Sequence, residues 1–165
     1  MFKAVVICLS DKGYRGERED KSSQVIIDIL KKNSYEIVKN ILIPDDYHLL
    51  KHTLAEICDA GEADLILTTG GTGFSKRDIT PEATLEVIEK AVPGIPEAIR
   101  SYSMLITKRA MLSRAVAGIR KDTLIVNLPG SPKAVKESLE YIISTLYHGL
   151  EILTGKASEC ANDRK

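Results

Sequence analysis

The feature that most constrains the fold is the stretch Asp64-Leu-Ile-Leu-Thr-Thr-Gly-Gly-Thr-Gly-Phe-Ser-Lys-Arg-Asp-Ile-Thr-Pro-Glu-Ala-Thr84. Leu65, Ile66 and Leu67 form a short apolar run of the kind buried inside a parallel sheet. Gly70, Gly71 and Gly73 then remove side chains, so the backbone can turn sharply and present bare N–H groups. Thr80 is expected as an N-cap, with Pro81 in the first helical position and Glu82 in the first turn. A strand, a bare turn and a capped helix make a ready anion site, because unpaired N–H groups and the helix dipole both favour negative charge. Phosphate is the anion that fits. The same glycines also serve where a chain merely turns. No Lys-Ser/Thr pair follows them, so this is not a Walker A loop, and the third glycine of a dinucleotide fingerprint is absent. Asp78 lies between turn and cap. A carboxylate beside a phosphate cradle is repulsive unless a cation stands between them, and Mg²⁺ is the usual one.

The rest of the chain alternates strands and helices. Lys3 to Leu9 reads as a buried strand and Ser10-Asp11-Lys12-Gly13 as a polar loop. Ser22 to Lys32 reads as a helix, Tyr35 to Ile43 as a strand, and Tyr47 to Ala60 as a helix closed by Gly61. Pro44 ends the second strand and Asp46 caps the next helix, which leaves Asp45 without a structural task. His48 and His52 lie four apart on that helix, on a solvated face. Helices are expected from Pro81 to about Lys90 and from Glu97 to Lys108, separated by Val92-Pro93-Gly94-Ile95-Pro96. Met111 to Arg120 is expected as a strand beginning near Ser113 and Arg114. Lys121-Asp122 turns it into another strand, Thr123 to Leu128, forming a hairpin. Asn127-Leu-Pro129-Gly130-Ser131-Pro132 again joins a strand end to a helix N-terminus, with Ser131 as cap. A tight connection explains its proline and glycine equally well. The last helix runs to about Thr154, and a frayed tail follows Gly155.

This pattern predicts an α/β fold in three layers, a mainly parallel central sheet with helices on both faces and an antiparallel hairpin at one edge. At 165 residues the expectation is one domain over 1–165. Ligands in open α/β sheets sit beyond the carboxyl ends of the strands. Ser10, Asp11, Asp45, Gly70 to Asp78, Ser113, Arg114 and Asn127 to Ser131 all fall at or near such ends. That convergence is the strongest sign of a site.

Composition narrows the partners. Twenty-three Lys and Arg balance twenty-three Asp and Glu, so no global field points to nucleic acid or an acidic membrane. The absence of Trp argues against a base-stacking platform. Cys8, Cys58 and Cys160 fit neither a disulfide framework nor a zinc site. No signal-peptide cleavage pattern and no bilayer-length apolar run occur, so a cytoplasmic protein is expected.

Taken in order, Thr69-Gly-Gly-Thr-Gly73, Arg77-Asp-Ile-Thr-Pro-Glu-Ala-Thr84, Pro93-Gly94, Leu112-Ser-Arg114 and Asn127-Leu-Pro-Gly-Ser131 resemble the MogA/MoaB-type molybdenum cofactor biosynthesis proteins. The gephyrin G domain belongs to the same group. The resemblance covers nearly the whole chain. It implies Mg²⁺-dependent transfer of AMP from ATP to the terminal phosphate of molybdopterin, with release of pyrophosphate. The adenylylated product would pass to a molybdenum insertase. The essential carboxylates of the family fall on Asp45 and Asp78, which would hold the metal. Gly70, Gly71, Thr72 and Gly73 would cradle phosphate, with Thr80 and Gly94 in the accompanying motifs. Ser113, Arg114, Asn127, Pro129, Gly130 and Ser131 would hold the pterin or its phosphate, and Ser10 and Asp11 share their edge. The resemblance further implies a homotrimer, or a hexamer for MoaB-type proteins. The alternative is a molybdopterin carrier or scaffold without turnover. A CinA-type nucleotide pyrophosphatase is a third, and that type normally carries a further domain.

Overall fold

A computed structural model of the chain describes residues 1–156. Six strands form one sheet: β1 (Phe2–Leu9), β2 (Tyr35–Ile43), β3 (Leu65–Thr69), β4 (Lys90–Ala91), β5 (Ala117–Arg120) and β6 (Thr123–Leu128). Their order is β2-β1-β3-β6-β5-β4. The first four strands in that order are parallel, and the β5/β6 and β4/β5 pairs are antiparallel.

The apolar runs explain the layers. Successive side chains of a strand point to opposite faces. Phe2, Ala4 and Val6 of β1 enter one core, whereas Val5, Ile7 and Leu9 enter the other. In β6, Leu124 and Val126 face the first core and Ile125 the second. The first core is closed by helices α2 (Lys21–Lys32), α5 (Gly94–Met104) and α6 (Pro132–Leu153). The second is closed by α3 (Tyr47–Asp59) and α4 (Thr80–Val87). The result is the expected three-layer fold. Cys8 and Cys58 are buried free thiols. Among the described residues no helix is long and apolar enough to cross a membrane. The expectations for Cys160 and the tail after residue 156 lie outside the described residues.

Five local expectations are corrected. Residues Asp11–Tyr14 are not loop but a short helix, α1, capped by the Ser10 hydroxyl. The N-cap of α4 is Ile79. Thr80 is already helical, because its hydroxyl is drawn to the Gly70 carbonyl at 2.9 Å. Helix α4 ends at Val87, since Lys90 and Ala91 pair with Ile119 and Gly118 as strand β4. Gly118 makes room there: a Cβ on it would meet the Ile88 side chain at 2.5 Å. Helix α5 begins earlier, at Gly94. Pro96 fits its first turn, where a backbone N–H would have no partner anyway. Finally, Lys108–Leu112 is a 3-10 turn and only Ala117–Arg120 is strand. Ser113 to Val116 are held off the sheet pattern. Arg100 binds the Ser113 and Ala115 carbonyls, and the Asn127 carboxamide accepts from the Val116 N–H.

Candidate active site at the carboxyl edge of the sheet

The parallel strands end level. Leu9 pairs with Ile43, Cys8 with Thr69, and Thr69 with Leu128. The chain leaves β1 for β2 on one side and returns to β3 on the other. The loops therefore separate between β1 and β3, opening the crevice in which ligands of such sheets bind. A cavity of about 840 Å³ occupies that place. Its walls come from the ends of β1, β2, β3 and β6 and from the N-termini of α2 and α6.

The glycine loop forms its floor. Gly70 and Gly71 take φ of +92° and +70°, the left-handed region that side chains disfavour. Contact forbids side chains as well. A Cβ on Gly70 would lie 2.4 Å from the Leu9 carbonyl oxygen, and one on Gly71 2.4 Å from the Thr80 hydroxyl. Thr80 is fully buried and acts as a pin: its hydroxyl donates to the Gly70 carbonyl and its N–H to the Gly71 carbonyl at 3.1 Å. The Thr69 hydroxyl donates to the Pro129 carbonyl at 2.6 Å, and the Ser22 hydroxyl to the Gly130 carbonyl at 2.7 Å. These bonds fix the β6 loop and the α2 N-terminus against the glycine turn.

Three aspartates converge here. The Asp11 and Asp45 carboxylates each accept the other's backbone N–H, at 3.0 and 3.1 Å. Asp11 also takes both prongs of the Arg77 guanidinium, at 2.9 and 3.0 Å. That pairing holds the Asp11 carboxyl below the usual carboxylate range, helped by the Asp45 backbone bond. Asp45 moves the other way. Burial raises its pKa, and the neighbouring charges of Asp11 and Asp78 add to the effect against the Asp11 backbone bond and the Arg77 charge. The Asp78 carboxylate accepts from the Ser75 N–H at 2.9 Å. It also crowds the loop, since a Cβ on Gly73 would lie 2.9 Å from its Oδ2.

Each of Asp45 and Asp78 keeps one carboxylate oxygen that accepts no hydrogen bond among the described residues. Among those residues no cluster of three or more His, Cys, Asp and Glu forms a metal site. The two open oxygens are the protein donors that a divalent cation at this edge could use, and an ion such as Mg²⁺ is commonly held by one or two carboxylates. The two like charges, with Arg77 engaged by Asp11, fit such an ion.

The cavity is lined by Ser10, Asp11, Asp45, Gly70, Gly71, Asp78, Gly130 and Ser131 of the expected residues. Thr72, Thr80 and Asn127 stand behind it, buried. The Asn127 side chain donates to the Thr68 and Thr84 hydroxyls at 2.9 and 3.0 Å, so it is a strut between β6, β3 and α4. Gly94 opens α5 and does not line the cavity. Pro129 does not line it; its carbonyl accepts from the Thr69 hydroxyl. Ser113 is in the stretch held by Arg100, and the Arg114 guanidinium is bound to Gly73, Asp78 and Glu82. Sequence reasoning missed Lys12, Arg18, Glu19, Asp20, Lys21 and Ser22, which also line the cavity. The charged run after β1 leaves from the same sheet edge, and that position was the available signal.

An α/β sheet with a bare glycine turn, two half-satisfied carboxylates and two helix N-termini thus meets around one cavity at the switch point of the strand order. The model for a probable molybdopterin binding domain matches residues 5–148, and the chain belongs to that family. It is 39% identical to the molybdopterin adenylyltransferase of Helicobacter pylori, over 91% of this chain and 86% of that protein. It is 41% identical to that of Escherichia coli, over 82% and 70% respectively. Among solved structures, MoaB of Thermus thermophilus superposes with a TM-score of 0.90 at 45% identity, covering 96% of this chain and all of that one. The tungsten cofactor synthesizing MoaB of Pyrococcus furiosus gives 0.84 at 40% identity, over 93% and 97%.

Proposed function

We propose that this chain is a molybdopterin adenylyltransferase of molybdenum cofactor biosynthesis. In this reading a terminal phosphate oxygen of molybdopterin attacks the α-phosphorus of ATP. The bond between the α-phosphorus and its bridging oxygen breaks, pyrophosphate leaves, and adenylyl-molybdopterin remains. The attacking phosphate is already anionic at neutral pH, so no strong base is needed. Bringing two polyanions together is the main barrier, and positioning and electrostatics must lower it.

The observation that carries this reading is the meeting of Asp45 and Asp78, each with an open oxygen, on a glycine turn closed to side chains. Gly70 and Gly71, the two glycines of the turn that line the cavity, would offer backbone N–H groups to phosphate. Mg²⁺ held by Asp45 and Asp78 would supply countercharge for the phosphates. Lys12, Arg18 and Lys21 also line the cavity, interleaved with Glu19 and Asp20, and with the N-termini of α2 and α6 they would receive the second anion. A carrier without turnover is the alternative, but a carrier has no use for two carboxylates beside a phosphate cradle. Handover of the product to a molybdenum insertase, a cytoplasmic setting and homotrimeric assembly complete the proposal.

Pyrophosphate release from ATP and Mg²⁺ tests it, measured with and without molybdopterin for wild type and Asp78→Asn. Release should require molybdopterin and fall on the order of 100-fold or more in the variant, which keeps the shape of the loop. Tight molybdopterin binding without release would favour the carrier, and wild-type rates in the variant would remove Asp78 from the mechanism.

A further inference from the structure

Arg114 has the side chain most thoroughly engaged with the glycine loop, yet it does not line the cavity. Its Nε donates to the Gly73 carbonyl at 2.7 Å and one terminal nitrogen to the Asp78 carbonyl at 2.9 Å. The other terminal nitrogen pairs with Glu82 on α4. Its own backbone N–H donates to the Thr72 carbonyl at 2.9 Å. One residue thus grips the loop at Thr72, Gly73 and Asp78 and ties it to the helix that follows. The segment between those anchors, Phe74 to Arg77, is exposed; it is closed by the Ser75–Asp78 turn and tied elsewhere by the Arg77–Asp11 pair. Arg114 is steadied in turn, because Arg100 of α5 binds the carbonyls on both sides of it, at Ser113 and Ala115.

We propose that Arg114 is a positioning residue for the transfer reaction, aiming the Asp78 carboxylate by holding its loop from behind, rather than a ligand of the pterin or its phosphate. The flat guanidinium suits the task, since its donors reach two carbonyls and a carboxylate at fixed angles, which a lysine ammonium does not reproduce. Glu82 keeps the fork oriented. The kinetic consequence rests on the adenylyl-transfer reading; the structural one does not.

The test compares wild type with Arg114→Lys and Arg114→Gln. Amide exchange is followed first, in the ligand-free proteins. The Asp78 and Thr80 amides, which donate to the Ser75 and Gly71 carbonyls, should exchange about tenfold faster in the variants, with amides of β1 and β3 unchanged. Unchanged loop exchange would overturn the proposal, and so would equal acceleration in β1 and β3, the mark of a general stabiliser. Pyrophosphate release is followed second. kcat should fall about 10- to 100-fold, with the KM values for ATP and molybdopterin within about twofold of wild type. A raised molybdopterin KM at unchanged kcat would make Arg114 a substrate ligand and overturn its assignment. A wild-type protein that releases no pyrophosphate would sink the adenylyl-transfer reading alone, and the exchange result would still decide the brace.

Discussion

Asp45 illustrates how one residue couples stability to pH. Its folded-state pKa lies above its unfolded value, so the folded protein binds a proton here more tightly than the unfolded chain. Stability from this group is present at low pH and is lost as pH rises from the ordinary aspartate pKa through the raised one. Asp11 has the opposite sign: its contribution exists above the ordinary pKa and is lost as pH falls through the lowered one. Asp45→Asn keeps an oxygen for the Asp11 N–H and removes the buried charge. At pH 7 its melting temperature should therefore equal or exceed that of wild type, and the acid-side dependence due to residue 45 should vanish. Added Mg²⁺ should raise the melting temperature of wild type and leave that of the variant unmoved. Pyrophosphate release should fall in parallel. Thermal melts over a pH series, with and without the ion, check all of this; a variant that melts lower at pH 7 would assign Asp45 to the scaffold.

At the scale of elements, buried polar contacts join what the apolar cores leave loose. Asn127 sits near the end of β6, fully buried, and bonds to Val116, Thr68 and Thr84. Four segments therefore meet at one carboxamide. Asn127→Ala would leave a backbone N–H without its partner and open a void, at a cost of about 2–4 kcal/mol. Denaturant unfolding measures that loss, and a change below about 0.5 kcal/mol would remove the strut role. Much at this scale was legible beforehand. The limits of β2 and β6, the Asp46 and Ser131 caps and the Lys121 turn all match the sequence reading. Their causes are local: apolar runs, a side-chain oxygen before a helix, a proline in its first turn. The misread elements depend on distant partners. Strand β4 exists because Gly118 leaves a slot for Ile88, and β5 is short because Arg100 and Asn127 claim the residues before it.

For the whole molecule, one surface stands out. Met104, Leu105 and Ile106 at the end of α5, with Met111 and Leu112 of the 3-10 turn, are all exposed, Leu105 by 85%. Exposed apolar side chains this close together in the chain suit an interaction face, and a second copy of the chain is the partner that the proposed homotrimer would supply. Leu105→Asp combined with Ile106→Asp should dissociate that assembly at micromolar concentration while leaving the monomer folded, because neither side chain is in either core. Sedimentation velocity and far-UV circular dichroism report the two quantities separately. An unchanged sedimentation coefficient in the double variant would place the contact elsewhere.

The sequence by itself determined the layers and the edge at which the candidate residues gather. Alternating burial and strand-helix succession are periodic properties, and periodicity is readable without neighbours. It also marked Asp45 and Asp78, as acidic residues at strand-end turns for which no capping task could be found. The tertiary structure alone decided which side chains face the cavity and which stand behind it. Asn127 and Arg114 carry polar groups at the same edge as Asp45, yet both turn to carbonyls and hydroxyls of other elements. Lys12, Arg18 and Lys21 line the cavity because α1 and the start of α2 lie at the same edge of the sheet. A side chain bonds to whatever donor or acceptor the fold brings within about 3 Å, and over separations of 36 residues or more only the packed fold sets that choice.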